Sequence, residues 1–162
     1  MGKKYELLKD QTVFFDGVTL YRIRALRDIP LSDVKAGDLG GWVEGEHNLS
    51  QDGGAWITDD AWVFGNAVVC DDAQVFDNAR VYDEAIISNN AQVYDDAQVF
   101  DNARVYDEAI ISNNARVYDD AKVYERASVC GHTQVYGGAQ VCGHTQVYGD
   151  ISICGNGAIG LT

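Results

Sequence analysis

Histidines are the residues of this chain best suited to acid–base or metal chemistry, because imidazole titrates near neutral pH and is a common metal ligand. His132 and His144 lie in two copies of the octapeptide CGHTQVYG, twelve residues apart, whereas His47 lies much closer to the N-terminus. The candidates for a catalytic base are therefore His132 and His144. A zinc site would require all three histidines to converge in the fold.

Charged side chains restrict the class of ligand. Twelve lysines and arginines stand against 25 aspartates and glutamates, and the net charge of −13 opposes direct binding to nucleic acid. The acidic residues allow three interpretations: solvated turn residues, weak calcium sites, or a mimic of nucleic-acid phosphates that occupies a basic partner protein. Arg104 and Lys122, eighteen residues apart, are the candidates for a basic spot that could receive phosphate groups.

These residues belong to a repeat. Residues 71–94 and 95–118 share one 24-residue sequence, and the single difference is Gln92 in the first copy against Arg116 in the second. A shorter period of six underlies it: from Ala55 onward a small residue recurs at almost every sixth position, and an aliphatic residue follows two positions later. Residues 55–162 thus hold eighteen hexads of the type A-x-V-Y-D-D.

The hexad predicts short strands separated by tight corners. Side chains alternate between the two faces of a strand, so Ala and Val point inward while x and Tyr point outward. Asp, Asn and Gly at the last two positions tolerate the left-handed backbone of a corner. Strands at this spacing cannot form hairpins, but they can stack into a parallel β-helix. We therefore expect an all-β fold with almost no helix.

Residues 1–54 lack the repeat and are expected to form an N-terminal β cap. The segment TVFFDGVTLYRIRAL predicts a β-hairpin with Asp16-Gly17 as its turn. A solenoid needs such a cap because its first coil would otherwise expose apolar core and unpaired backbone groups. The predicted organisation is one structural unit, with the cap at 1–54 and the solenoid at 55–162.

The small-x-aliphatic hexads resemble the hexapeptide repeat of left-handed β-helix proteins. That resemblance implies a left-handed parallel β-helix with three hexads per triangular coil, hence six coils in residues 55–162. In the N-terminal region, the segments LYRIRAL, DVKAGDLGGWV and NLSQDGGAWI resemble the YdcK family, which is labelled as acyltransferases. The resemblance to hexapeptide-repeat acyltransferases implies a trimer, a histidine general base and acetyl-CoA bound beside the coils.

With three hexads per coil, residues eighteen apart stack on one face. One face then carries the aromatic column, which we define as Phe64, Tyr82, Phe100, Tyr118 and Tyr136. Two interpretations stay open: the rings stabilise neighbouring rungs by cross-strand pairing, or they form a contact surface. His132 and His144 fall on different corners, so they cannot share one site within a subunit. Arg104 and Lys122 stack, with Asp107, Glu108 and Glu125 nearby as expected ion-pair partners.

The cysteines and the lack of targeting signals favour the cytoplasm. All four follow a core aliphatic residue and point outward, with no two in disulfide reach: Cys70, Cys130, Cys142 and Cys154. There is no basic start followed by an apolar stretch, and no apolar run approaches the ~18 residues of a membrane helix. We expect a cytoplasmic protein with no metal site and no membrane partner.

The leading hypothesis is a non-catalytic scaffold or protein-interaction module of bacterial or phage origin, with no cofactor. One alternative is an acyl-CoA-dependent acyltransferase, and another is an acidic inhibitor that mimics nucleic acid. The final hexads replace core Ala with Ile151 and Gly157, and nothing follows Thr162, so we expect an open edge on the last coil. We expect a homo-oligomer, dimer or trimer, that buries Tyr82, Phe100 and Tyr118 rather than this edge.

Overall fold

The computed structural model describes residues 2–161, with side chains for residues 2–160. The chain begins with a long antiparallel hairpin of β1 (Tyr5–Phe15) and β2 (Val18–Ala25). Phe15 pairs with Val18 across the turn, where Asp16 and Gly17 have φ angles of 47° and 82°. The hairpin predicted at Asp16-Gly17 is confirmed, and its first strand extends back to Tyr5.

The strands after the hairpin, numbered in chain order, form three faces. The first sheet continues from the hairpin through β3 (Leu39–Val43), β5 (Trp62–Val63), β8 (Arg80–Val81), β11 (Gln98–Val99), β14 (Arg116–Val117), β17 (Gln134–Val135) and β20 (Ser152–Ile153). The second contains β6 (Val68–Val69), β9 (Ile86–Ile87), β12 (Arg104–Val105), β15 (Lys122–Val123), β18 (Gln140–Gly143) and β21 (Ala158–Leu161). The third contains β4 (Trp56–Ile57), β7 (Gln74–Val75), β10 (Gln92–Val93), β13 (Ile110–Ile111), β16 (Ser128–Val129) and β19 (Gln146–Val147).

Each hexad supplies one strand, and each strand pairs in parallel with the strand eighteen residues further on. Gln98 of β11, for example, pairs with Arg116 of β14 above it and with Arg80 of β8 below it. Three consecutive strands complete one coil. The predicted all-β parallel solenoid with an N-terminal hairpin is confirmed.

One incomplete coil lies below the six predicted ones, so the solenoid has about seven. Trp42 of β3 pairs in parallel with Trp62, and Leu49 forms a parallel bridge with Val69. Paired residues of neighbouring coils are twenty residues apart here instead of eighteen, so the six-residue period does not reveal this coil. Gly41 packs so closely that a Cβ would lie 2.7 Å from the carbonyl oxygen of Ala61.

The core is a continuous stack of inward Ala and aliphatic side chains. Val81, Val99 and Val117 lie directly above one another and are fully buried, as are the alanines that precede them by two residues. Their removal from water supplies the main driving force for stacking, and inter-coil hydrogen bonds satisfy the backbone. The N–H of Phe100, for instance, donates to the carbonyl of Val117 at 3.0 Å.

Helical structure among the described residues 2–161 is limited to two 3-10 helices, Pro30–Ser32 and Glu46–Asn48. Neither is long or apolar enough to span a bilayer. The corners between strands use left-handed residues: Asp95, Asp101 and Asp107 have φ angles of 58°, 55° and 59°. This agrees with the preference of Asp, Asn and Gly for such corners in the hexad. Thr162, which bears on the predicted open edge, lies outside the described residues.

Candidate interaction face

The aromatic column lies on the outer side of the first sheet, as the spacing predicts. Its rings stack nearly parallel, with centroids 4.9–5.1 Å apart and interplanar angles of 0–7° from Phe64 up to Tyr136. This distance matches the spacing of neighbouring strands, so in-register pairing sets the stacking. The ring faces cover one another, and the column presents ring edges and tyrosine hydroxyls to solvent.

The hairpin tip covers the lower end of the column. The Phe15 ring meets Trp62 edge-on at 5.1 Å and Phe64 at 6.2 Å. Phe14, its neighbour, leaves 74% of its surface exposed. Sequence reasoning missed this contact because the hairpin lies outside the repeat. The available signal was the pair of phenylalanines directly before the Asp-Gly turn.

A second outward column runs beside the aromatic one. We call it the arginine column, and its residues are Trp62, Arg80, Gln98, Arg116 and Gln134. The Arg80 guanidinium lies over the Trp62 ring, 4.6 Å from its centroid, in a cation–π contact. Arg116 is exposed and forms no ion pair with any carboxylate of the described residues.

Hydrogen bonds tie the two columns together from coil to coil. The Tyr118 hydroxyl donates to Oε1 of Gln134 at 3.0 Å, and Tyr82 makes the same contact with Gln98 at 3.5 Å. Burial raises the pKa of Tyr82 and of Tyr118, and the adjacent aspartates raise both further. These hydroxyls therefore stay protonated at neutral pH and remain hydrogen-bond donors. The face is a surface of ring edges and of tyrosine hydroxyls that donate to the neighbouring glutamines.

The predicted basic spot forms on the second sheet. Arg104 and Lys122 pair in register on β12 and β15, as their spacing of eighteen predicts. Neither forms an ion pair with a carboxylate among the described residues, and Glu108 pairs instead with Arg126 at 2.8 Å. Both cations line a shallow groove of about 600 Å³, which also includes Asp120. The positive charges of Arg104 and Lys122 are therefore available to an anionic ligand.

The histidines do not come together. His132 lines a groove with Asp96 and Arg116 at one corner, whereas His144 lines another with Glu125 and Cys142. His47 lies elsewhere, with Nε2 2.8 Å from the carbonyl oxygen of Gly65. Within the described part of the chain, no group of three or more His, Cys, Asp or Glu side chains could hold a metal ion.

Comparison with known families identifies the type of repeat. The family model of the YdcK beta solenoid repeat matches residues 73–89 and 97–113. The chain carries YdcK-like solenoid repeats. The two matched segments are 24 residues apart, so the YdcK model recognises the same stretch in each copy of the duplication. The YdcK resemblance inferred from the N-terminal region is thus supported by the solenoid itself. No curated protein matches the chain significantly.

Proposed function

We propose that this protein is a non-catalytic interaction module that associates with itself through the aromatic column. The observation that carries the proposal is the unbroken register of five stacked rings on one sheet face. Aromatic side chains are enriched in the cores of protein interfaces, where a small number of residues supply most of the binding energy. A contiguous aromatic stripe on a soluble protein is typical of a contact surface.

The stacking also lowers the cost of association. Ordering free side chains at an interface costs roughly 0.5–1.5 kcal/mol each. Here Tyr82 and Tyr118 are already held by ring neighbours on both sides and by a glutamine hydrogen bond. Little rotamer entropy remains to be lost when a second surface packs against them. The column is therefore preorganised for binding.

The test is a glutamate placed in the middle of the column, with a control that the duplication provides. Phe100 and Phe76 lie in identical nine-residue segments, DDAQVFDNA, on different faces. Static light scattering at tens of micromolar should show more than one chain per particle for the wild type. Phe100→Glu should lower that mass, because a buried carboxylate is costly to desolvate. Phe76→Glu should leave the mass unchanged.

Circular dichroism must show that both variants remain folded. Phe76 stacks on Tyr94 and Phe100 on both Tyr82 and Tyr118, so each variant loses ring stacking, and the masses are compared only once both variants are shown to be folded. A wild-type monomer at tens of micromolar would overturn the proposal. Equal masses for wild type and Phe100→Glu would overturn the role of the column.

A second candidate function is acyl transfer from an acyl-CoA, favoured by the unpaired charges of Arg104 and Lys122. Phosphate groups prefer such sites, and the groove beside them is open. Calorimetry with acetyl-CoA tests this alternative directly. Micromolar binding that is lost in an Arg104→Glu variant would place the acyltransferase hypothesis ahead of the interaction module. Absence of binding at millimolar acetyl-CoA would exclude it.

A further inference from the structure

We infer that the partner on the aromatic face is a second copy with its solenoid axis parallel to the first, so that each arginine column faces the other copy's acidic corner. The acidic corner comprises the carboxylates that directly follow the aromatic column: Asp83, Glu84, Asp101, Asp119 and Asp120. The inference rests on the proposed self-association, and it specifies the orientation and the polar contacts of the two copies.

The face is asymmetric across its strands. Each strand of the first sheet runs from the arginine column, through one inward aliphatic residue, to the aromatic column and then to the acidic corner. In β14, for example, Arg116 comes first, Tyr118 follows, and Asp119 begins the corner. The corner that precedes the arginine column also carries acids: Asp59, Asp60, Asp77, Asp95 and Asp96. The two arginines therefore make one edge of the face less acidic than the other, with ring edges between them.

This asymmetry distinguishes the two ways in which identical faces can meet around a two-fold axis. An axis parallel to the solenoid places the arginine edge of one copy over the acidic edge of the other. An axis across the solenoid makes the rods antiparallel and places the two acidic edges against each other. Opposed like charges at an interface are a strong penalty, whereas opposed unlike charges steer and align partners. The parallel arrangement is favoured.

The charges also match level by level. A two-fold axis parallel to the solenoid places each coil opposite the same coil of the second copy. Arg116 of one copy therefore faces Asp119 and Asp120 of the other. Arg80 lies level with the paired acids Asp83 and Glu84, but its guanidinium already packs over the Trp62 and Phe15 rings of its own chain, so Arg116 is the cation available to a second copy. Levels with a glutamine in the arginine column have fewer corner acids: Gln98 has one, and Gln134 has only glycines. The two arginines thus coincide with the two doubly acidic corners.

The duplication gives a second, independent reason to consider Arg116. Its two copies differ only where Gln92 becomes Arg116, and the 24-residue shift has moved this position from the third sheet to the first. The substitution therefore places a cation on the aromatic face, two coils above Arg80 and in the same ARVY segment. Within its own chain Arg116 has no carboxylate partner among the described residues, so the charge is available to a second copy.

Charge reversal tests the contact. Arg116→Glu should raise the dimer dissociation constant at least tenfold, because a two-fold interface contains the altered contact twice. Arg104→Glu is the matched control: it lies in the same hexad sequence, NARVYD, but on the second sheet, and should leave dimerisation unchanged. The double variant Arg116→Glu with Asp120→Arg re-creates unlike charges across the interface and should recover most of the lost affinity.

Cross-linking tests the orientation. Cys154 is exposed at the upper end of the aromatic face, directly above Tyr136. In the parallel dimer the two Cys154 thiols lie level, whereas antiparallel rods that overlap along the aromatic column separate them by about six coils, roughly 29 Å. A variant with Cys154 as its sole cysteine should form a covalent dimer with a short bismaleimide. A variant that retains only Cys70, on the second sheet, should not.

The possible results separate the two proposals. A monomeric wild type overturns the proposed function together with this inference. A wild-type dimer that is lost in Phe100→Glu, but neither cross-links at Cys154 nor responds to Arg116→Glu, overturns the parallel arrangement alone. Cross-linking at Cys154 with recovery in the double charge variant supports it.

Discussion

At the scale of single residues, the corner aspartates have a structural role that explains much of the acidic composition. The first residue of each corner has a positive φ, and wherever this residue is Asp, Asn or Glu its side-chain oxygen accepts the backbone N–H of the equivalent residue one coil above. Asp95 Oδ2 accepts from the N–H of Asn113 at 3.0 Å, and Asp107 Oδ2 from that of Glu125 at 3.1 Å. The first residue of each acidic pair is therefore a hydrogen-bond acceptor of the solenoid. The spacing of eighteen between Asp59, Asp77 and Asp95 was the signal for this ladder.

Glu125 is the exception in this ladder, and it motivates a stability prediction. Its φ of 59° is left-handed, a region that Asn and Asp enter more readily than Glu. Its carboxylate accepts the N–H of Gly143, a role that an asparagine fills at the equivalent position 89. Glu125→Asn should raise the free energy of unfolding by about 0.5–1 kcal/mol in urea titrations.

The control for this prediction is Glu125→Gln, which removes the same charge but keeps the longer side chain in the left-handed region. It should gain less stability than Glu125→Asn. Equal stability of the two variants would show that charge, not backbone conformation, governs this corner.

At the scale of elements, buried polar side chains fasten the hairpin to the first coils. Lys4 is fully buried and donates from Nζ to the carbonyl of Ala55 at 2.8 Å and to that of Asp52 at 3.3 Å. The adjacent Tyr5 hydroxyl donates to the carbonyl of Leu49 at 2.7 Å. Because the irregular segment cannot pair all its carbonyls in a ladder, these side chains satisfy them. The hairpin is thus an integral part of the solenoid's lower end.

The buried ammonium predicts a pH dependence of stability. Burial, and then the positive charge of Arg27, lower the pKa of Lys4 from 10.5 to about 8. Between these values the unfolded chain binds more protons than the folded one, so stability rises with pH across this window. The free energy of unfolding of the wild type, relative to Lys4→Met, should increase by about 1–2 kcal/mol between pH 7 and pH 9.5.

Urea titrations at the two pH values, with reductant present, measure this difference. Subtraction of the Lys4→Met values removes the contributions of the cysteines and tyrosines that also titrate at alkaline pH. Parallel shifts of wild type and variant with pH would contradict the prediction.

At the scale of the whole molecule, the inward side chains of the three faces are equivalent, whereas the outward side chains differ from face to face. Every hexad before the last two offers the core a small and an aliphatic residue, so a 24-residue copy can be inserted one face further around without disturbing the packing. The outward residues change face with it: Phe76 lies on the third sheet and its counterpart Phe100 lies on the first. Duplication in this chain therefore preserves the fold while it redistributes the surface.

Deletions of different length test whether the packing of the core is independent of the outward residues. Removal of residues 83–100 takes out one coil and leaves four rings in the aromatic column. Removal of 95–118 takes out four hexads and leaves three rings, because Tyr124 and then Cys142 follow Tyr82 on that face. Both variants should show β-rich circular dichroism and melt cooperatively, and the second should associate more weakly in light scattering.

Removal of residues 83–102 is the matched negative control. Its twenty residues are not a multiple of six, so inward alanines and valines beyond the deletion lose their register with the coils below. This variant should lose its cooperative transition. If the 24-residue deletion also unfolds while the 18-residue deletion folds, the faces are not equivalent toward the core.

Local patterns account for what could be predicted. The six-residue period contains both the strand alternation and the corner residues, so it specified inward Val99, outward Phe100 and the left-handed Asp101 without any knowledge of distant contacts. The stacking of Arg104 on Lys122 and the separation of His132 from His144 followed from the same period once the resemblance to left-handed β-helix proteins implied three hexads per coil. Each of these features depends only on position within the repeat.

Features that depart from the six-residue period were found only in the tertiary structure. The coil of β3 is one such feature, because its residues pair with residues twenty positions further on. The contact of Phe15 with Trp62 is another, because it comes from a hairpin outside the repeat. Both depend on long-range packing of an irregular segment. The parallel stacking of the rings, which turns their edges to solvent, depends on side-chain torsions selected by neighbours eighteen residues away. The sequence by itself determined which residues face outward, and the resemblance to proteins with three hexads per coil assigned those residues to faces. Only the tertiary structure decided what those residues touch, because contacts form between coils and not within the hexad that encodes each strand.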